Sequence, residues 1–239
     1  MPEGDGAVRI GLAGWSEAVS RYRSHFPSEG PGLTRYAGTF DFVEVNVTFY
    51  RAVREATLAG WAEQTPPGFR FSVKINRSVT HAARLSPNAR LDDALLPVRA
   101  LGDKLGALLV QLPPTLDFDA ERAEAFLTRL RASYAGMVAL EPRHPGWDKA
   151  EATGLLGDHG VTRVLTEIPG SQSPHSATGC YVRLHGTPRR YRSSYSDADL
   201  SVLAAWLAEE SGPSFVVFDN TAGPAGVANA LALQSMVSG

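Results

Sequence analysis

The ionisable residues that invite a chemical reading stand at the ends of apolar runs: Glu44 in FVEVN, Lys74 in FRFSVKIN, Glu141 and Arg143 in MVALEPRHPGW, Arg183 in CYVRLH and Asp219 in FVVFDN. Side chains alternate along a strand. Glu141 and Arg143 therefore share a face with Ala139, opposite Val138 and Leu140. The same rule groups Glu44 with Asn46, Lys74 with Ser72 and Asn76, Gln111 with Leu109, and Arg183 with Tyr181 and His185, while Asp219 opposes Phe218. If the apolar set packs under outer helices, the polar set points inward. Buried charges there must pair with each other or with a ligand, because an isolated one carries a large desolvation cost.

Glu44, Lys74, Glu141, His185 and Asp219 are the candidate catalytic residues, the carboxylates and the histidine as general acids or bases. Lys74 can hold an anion or, desolvated, act as an amine nucleophile. Arg143 and Arg183 suit bidentate capture of a carboxylate or phosphate; the competing reading is that they only neutralise Glu44, Glu141 and Asp219. Trp15, Asn46, Tyr50, His81, Gln111, His144, Trp147, Tyr191 and Asn220 complete the candidate substrate contacts. Trp15 and Trp147 would stack on a planar substrate or close a pocket rim, whereas Trp61 and Trp206 sit on helix stripes and belong in the core. His81, His144 and His185, with the three carboxylates, also offer ligands to a divalent metal. No His-x-His or His-Glu-x-x-His spacing occurs, and the neighbouring lysine and arginines oppose a cation, so neither metal nor cofactor is the expectation. His25, His159 and His175 read as ordinary solvated histidines. The loop Arg189, Arg190, Tyr191, Arg192, Tyr195 mixes basic and aromatic residues, as a single-strand-binding surface would; a solvated loop explains it equally well.

The elements that must position these groups alternate. Strand patterns recur about every 25 to 35 residues, with helical patterns between most of them. The strands are read at 9–15, 42–46, 69–76, 107–113, 137–141, 161–167, 180–185 and 215–220. Helices are expected near 33–37, 57–64, 91–103, 119–132, 148–156, from Ser196, and from about Pro224. Ser196 with Asp199 makes a capping-box pattern. The connection 168–178, IPGSQSPHSAT, is too rich in Pro, Ser and Gly for an ordinary helix. The expectation is an α/β protein, a single (β/α)₈ TIM barrel over residues 1–239 with a degenerate connection between strands six and seven. No Gly-x-Gly-x-x-Gly follows the first strand, which weakens a dinucleotide-binding fold.

With 239 residues and 44% apolar composition, the chain can bury one large core. Its 23 basic and 25 acidic residues leave a formal charge of −2, so no global field favours polyanions or anionic membranes. The single cysteine, Cys180, excludes an internal disulfide and reads as a packing residue. The start MPEGDGAVRI lacks signal-peptide character, and no run approaches the ~20 apolar residues of a membrane span. A cytoplasmic protein without a membrane partner is expected.

At these same residues the chain resembles the YecE-like proteins, domain-of-unknown-function family seventy-two. Gly14-Trp15-Ser16, the string VEVNVTFYR at 43–51, Phe71–Lys74 with Thr80-His81, and Gln111-Leu112-Pro113-Pro114 carry the first half of the likeness. Glu141–Trp147, Tyr181–Gly186, and Asp219 with Asn229-Ala230 carry the second. The resemblance implies a TIM-barrel fold and strengthens the site assignments, but brings no settled activity. Here Glu17 stands where the family usually has Tyr, Pro142 where it commonly has Phe, and Asp219 where Asn is frequent, adding an acid or base. The favoured function is an enzyme acting on a small anionic or phosphorylated substrate. A metal-dependent nucleic-acid hydrolase resembling barrel apurinic endonucleases is the less favoured alternative, and a non-catalytic metabolite-binding barrel is the third.

Overall fold

The computed structural model describes residues 7–87, 89–170 and 179–238. In chain order, β1 (Val8–Ala13) leads to α1 (Ser16–Arg21) and α2 (Gly32–Ala37), and β2 (Phe42–Val45) to α3 (Val47–Tyr50) and α4 (Glu55–Glu63). Then come β3 (Arg70–Lys74), α5 (Leu91–Leu95), β4 (Leu105–Gln111), α6 (Ala120–Ser133), β5 (Met137–Glu141), α7 (Ala150–Asp158) and β6 (Thr162–Arg163). The chain closes with β7 (Cys180–Leu184), α8 (Asp197–Ala208), β8 (Ser214–Phe218) and α9 (Ala225–Val237). One parallel eight-stranded sheet takes the order β6-β5-β4-β3-β2-β1-β8-β7, so the fold is the α/β TIM-barrel type. Past the short β6, a single parallel bridge joins Leu165 to Val182. The connection between β6 and β7 falls largely on residues 171–178, which with His175 lie outside the described residues.

Three elements depart from the sequence reading. The expected helix 91–103 is broken at Pro97, which has no N–H to donate and crowds the preceding turn. The stripe survives, since Leu91, Leu95, Val98 and Leu101 are all buried. The sixth strand shrinks from seven expected residues to Thr162–Arg163. In α9 a stripe through Val227, Leu231 and Met236 is what the sequence suggests, but the buried positions are Gly226, Val227, Asn229, Ala230 and Leu233, with Leu231 and Met236 half-buried. Trp206 is core as expected, but Trp61 is only half-buried.

The chain groups into two compact units. The first comprises 1–44, 65–69 and 165–239. In it β1 pairs with both β2 and β8, in registers that set Ala13 beside Glu44 and Leu12 beside Phe218, and β7 pairs with β8. Gly11 is required by close approach: a Cβ there would stand 2.1 Å from the Phe42 carbonyl oxygen. Tyr36, fully buried on α2, accepts from the Leu12 N–H and donates to the Phe42 carbonyl, each at 2.9 Å. Burial pushes its phenol well above the ordinary range. The capping box at Ser196 and Asp199 forms and opens α8.

The second unit comprises 45–64 and 70–164 and holds the β3-β4-β5-β6 ladder. Its register places Lys74 beside Leu109 and Gln111 beside Glu141. Asp119 caps α6 by accepting from the Arg122 N–H at 3.0 Å, and Ala123, Phe126, Leu127 and Leu130 form its buried stripe. Both faces of β3 are covered: Val73 at 1% exposure alternates with Ser72 at 0% and Lys74 at 7%. An ionic side chain emerging there must be partnered by design.

Tyr36→Phe keeps the ring but strands a buried N–H and a buried carbonyl. It is expected to lower unfolding stability by about 1–3 kcal/mol in urea denaturation, with little change in the denaturant slope.

Candidate functional site

The sequence-selected residues fall into two groups, one in each unit.

In the first unit Glu44 is fully buried at the end of β2 and Arg183 is 1% exposed on β7. The guanidinium grips the carboxylate with two bonds, Nε to Oε2 and Nη2 to Oε1, both 2.8 Å. The Tyr181 hydroxyl donates to the same Oε2 at 2.9 Å. Arg183 Nη2 also reaches Asp219 Oδ2 at 3.1 Å, and His185 Nδ1 meets that oxygen at 2.9 Å. A carboxylate only accepts, so Nδ1 carries a proton and the Asp219 contact sets the orientation of the ring. The Tyr191 ring stands edge-on to His185 at 5.7 Å, and its N–H donates to the His185 carbonyl. Trp15, after Gly14, is half-buried at the start of α1.

Asn220 is tied into the loop beside it. It is fully buried, and its amide hydrogens go to the Ser193 carbonyl at 2.9 Å and Asn229 Oδ1 at 3.1 Å. Asn229 in turn holds both the N–H and the carbonyl of Tyr195. Asn220 thus secures the loop that carries Tyr191 and offers a ligand no amide hydrogen.

In the second unit Glu141 is fully buried at the end of β5. It accepts from Gln111 Nε2 at 3.0 Å and forms an ion pair with Arg143 Nη2. Arg143 keeps 20% side-chain exposure, and its Nε is buried with no hydrogen-bond partner among the described residues. Lys74 places Nζ 4.3 Å from the centre of the Phe49 ring. Phe49 meets His81 and Tyr50 edge-on, each at 5.0 Å. His81 lies on the single π-helical turn Ser78–Ala82, with Nδ1 2.9 Å from Thr80 Oγ1. Burial, then the positive charges of Lys74, Arg77 and Arg143, lower its pKa, so the ring is neutral at pH 7. Asn46 is half-buried ahead of α3, and Tyr50 is 69% exposed.

Three further residues are placed differently from the expectation. Trp147 is 1% exposed, donates its indole N–H to the Leu116 carbonyl at 3.1 Å and meets Phe118 edge-on. It anchors its loop and presents no open ring face. His144 turns onto its own loop, accepting from the Gly146 N–H at 3.0 Å beside Asp117. His159, expected in solvent, is only 15% exposed and paired with Glu124. Phe49, Thr80 and Arg77 were not singled out from sequence, although Phe49 and Thr80 lie inside the strings that carry the family resemblance. Cys180 is buried and its thiol is pushed up to about 12, as suits a packing residue. Among the described residues no three His, Cys, Asp or Glu side chains are grouped to hold a metal ion, and no helix is long and apolar enough to cross a membrane.

Parallel strands alternating with helices, and ionic side chains at the strands' carboxyl ends, define the class as TIM-barrel-like. The chain belongs to the family described as protein of unknown function DUF72, whose model matches residues 9–239. It is similar to the UPF0759 protein YunF of Bacillus subtilis, 28% identical over 148 residues. That match covers 59% of this chain and 52% of YunF, so it spans about half the length of that relative. A DUF72 family protein from Thermotoga maritima superposes with a TM-score of 0.76 at 26% identity, covering 97% of this chain and 99% of that one. One from Enterococcus faecalis gives 0.76 at 20% identity, covering 97% and 96%. A 3-keto-L-gulonate-6-phosphate decarboxylase from Vibrio cholerae gives 0.52 at 11% identity, covering 97% of each chain, a likeness of fold alone.

Arg183→Met leaves the Glu44 carboxylate buried without its counter-charge and is expected to cost about 3–5 kcal/mol of stability. Glu44→Leu combined with Arg183→Met should recover most of that loss, as a double-mutant cycle by urea unfolding would read. For His81, the unfolded chain takes up a proton near pH 6.5 while the folded ring does so only at lower pH. Its contribution to stability is therefore present above pH 6.5 and shrinks as pH falls toward the folded value. His81→Gln should flatten that part of the stability-versus-pH curve.

Proposed function

We propose that the protein is an enzyme acting on a small anionic or phosphorylated substrate, bound at the Lys74–His81–Arg143 cluster. The observation that carries this reading is the crowding of positive charge there. Lys74, Arg77 and Arg143 all act on His81, and Arg143 Nε is buried without a hydrogen-bond partner among the described residues. Lys74 is buried, Arg143 is partly exposed and paired with Glu141, and Arg77 is exposed, so an incoming anion would accept hydrogen bonds and offset the positive charge around His81. Arg143 offers a planar fork, His81 a neutral ring able to donate or accept, and Lys74 a compact charge.

The enzymatic half of the reading is supported by the first unit taken by itself. Arg183 is committed to Glu44 and Asp219, so its role shifts from anion capture to positioning. It holds Asp219, which orients His185 as a base. Glu44 is then a structural counter-charge, and within the first unit the His185–Asp219 pair is the one suited to proton transfer.

Titration calorimetry at low salt with inorganic phosphate and a panel of sugar phosphates tests the binding half. The parent protein should bind at least one of these anions, and Arg143→Ala should weaken it about tenfold, the scale of one lost charged hydrogen-bonding contact. Equal affinity in the two proteins would remove the assignment.

A further inference from the structure

The second unit also contains a cavity of about 430 Å³ on the helix side of β3 and β4. Its floor is apolar, built from Leu58, Val73, Leu95, Val98 and Leu108, which are 0–5% exposed. Val73 and Leu108 are sent to this side by strand alternation and Leu58, Leu95 and Val98 face them from the helices, where a well-packed barrel would leave no void. The space persists because the helix cover is interrupted: Pro97 ends α5 early and the chain continues as a tighter 3₁₀ stretch, Pro97–Lys104. Two features of the rim are unusual. Tyr50 holds a large ring 69% exposed beside the opening, and Arg51, also at the opening and exposed, has no carboxylate partner among the described residues. The other rim arginine, Arg90, is neutralised by Asp93.

We propose that this cavity is a binding site for an amphipathic monoanion. The apolar body would be an aromatic or acyl group lying on the Leu58–Val98 floor, flanked by the Tyr50 ring, and the carboxylate or sulfonate would meet Arg51. The volume, with an apolar floor and a polar rim, fits a small-molecule site. An exposed aromatic ring beside an unneutralised guanidinium is the pairing that an amphipathic anion recognises. Neither Arg143 nor His81 lines this cavity, so the site stands apart from the anion cluster proposed above, although Lys74 contributes to both.

The test uses the full chain and two dyes, 1-anilinonaphthalene-8-sulfonate and its uncharged counterpart N-phenyl-1-naphthylamine, followed by fluorescence. Saturable one-site binding of both is expected. Ala94→Trp and Val53→Trp, each filling the cavity from a different wall, should weaken both dyes about tenfold or more. Arg51→Ala should weaken only the sulfonate, and Arg143→Ala should leave both affinities unchanged. Thermal unfolding monitored alongside identifies a folded variant, and the two filling variants provide independent readings. Absence of saturable binding, retention of affinity in a folded filling variant, or equal sulfonate affinity in Arg51→Ala would overturn the proposal. Loss of dye binding in Arg143→Ala would place the dye at the anion cluster and overturn it as well, leaving that cluster's own phosphate test standing.

Discussion

A carboxylate with no exposed surface is the constraint around which the first unit is arranged. Glu44 can stay ionised inside the protein only if its oxygens are satisfied and its charge opposed. Arg183, 139 residues away in sequence, meets both needs with its fork, and Tyr181 adds a third bond. Once the guanidinium is fixed by Glu44, the same Nη2 also reaches Asp219, and Asp219 orients His185. Each group is oriented by the one before it. A group buried to satisfy electrostatics thereby leaves an imidazole held in one orientation, which is what proton transfer demands.

The second unit meets the same problem with a different result. Glu141 faces Gln111 and Arg143, while Lys74 lies over the Phe49 ring. The same ring contacts His81, so an aromatic side chain separates an ammonium from an imidazole that three positive charges already discourage from protonating. Such an arrangement keeps histidine neutral at ordinary pH in a positively charged setting. That combination suits an anion better than a cation.

Much of this was legible in the chain. Period-two alternation assigned Glu44, Lys74, Glu141, Arg183 and His185 to the polar side of their strands, and the eight-fold recurrence of strand patterns gave the barrel class. Helix stripes on α6 and α8 were legible because one face of each helix is buried. The legible part fails where local sequence is ambiguous. Residues 91–103 keep helical spacing across Pro97, so periodicity alone runs through the break. Trp147 follows a charged strand end and reads as a rim residue, yet the indole N–H finds a carbonyl and the ring is buried. Asn220, polar and at a strand end, resembles the site residues in every sequence property. Only its two bonds to Ser193 and Asn229 distinguish it.

The residue types and their alternation thus determined, without coordinates, which strand ends carry charge and that those charges require partners, because desolvation makes an isolated buried ion too costly. Which partner each one takes was decided by tertiary structure. Arg143 and Arg183 are equivalent in sequence terms, each two residues from a polar neighbour at a strand end. Arg183 is committed to two carboxylates, while Arg143 pairs with one and keeps a buried Nε with no partner among the described residues. That difference depends on strand register and on contacts between residues far apart in the chain, distances that no local pattern encodes.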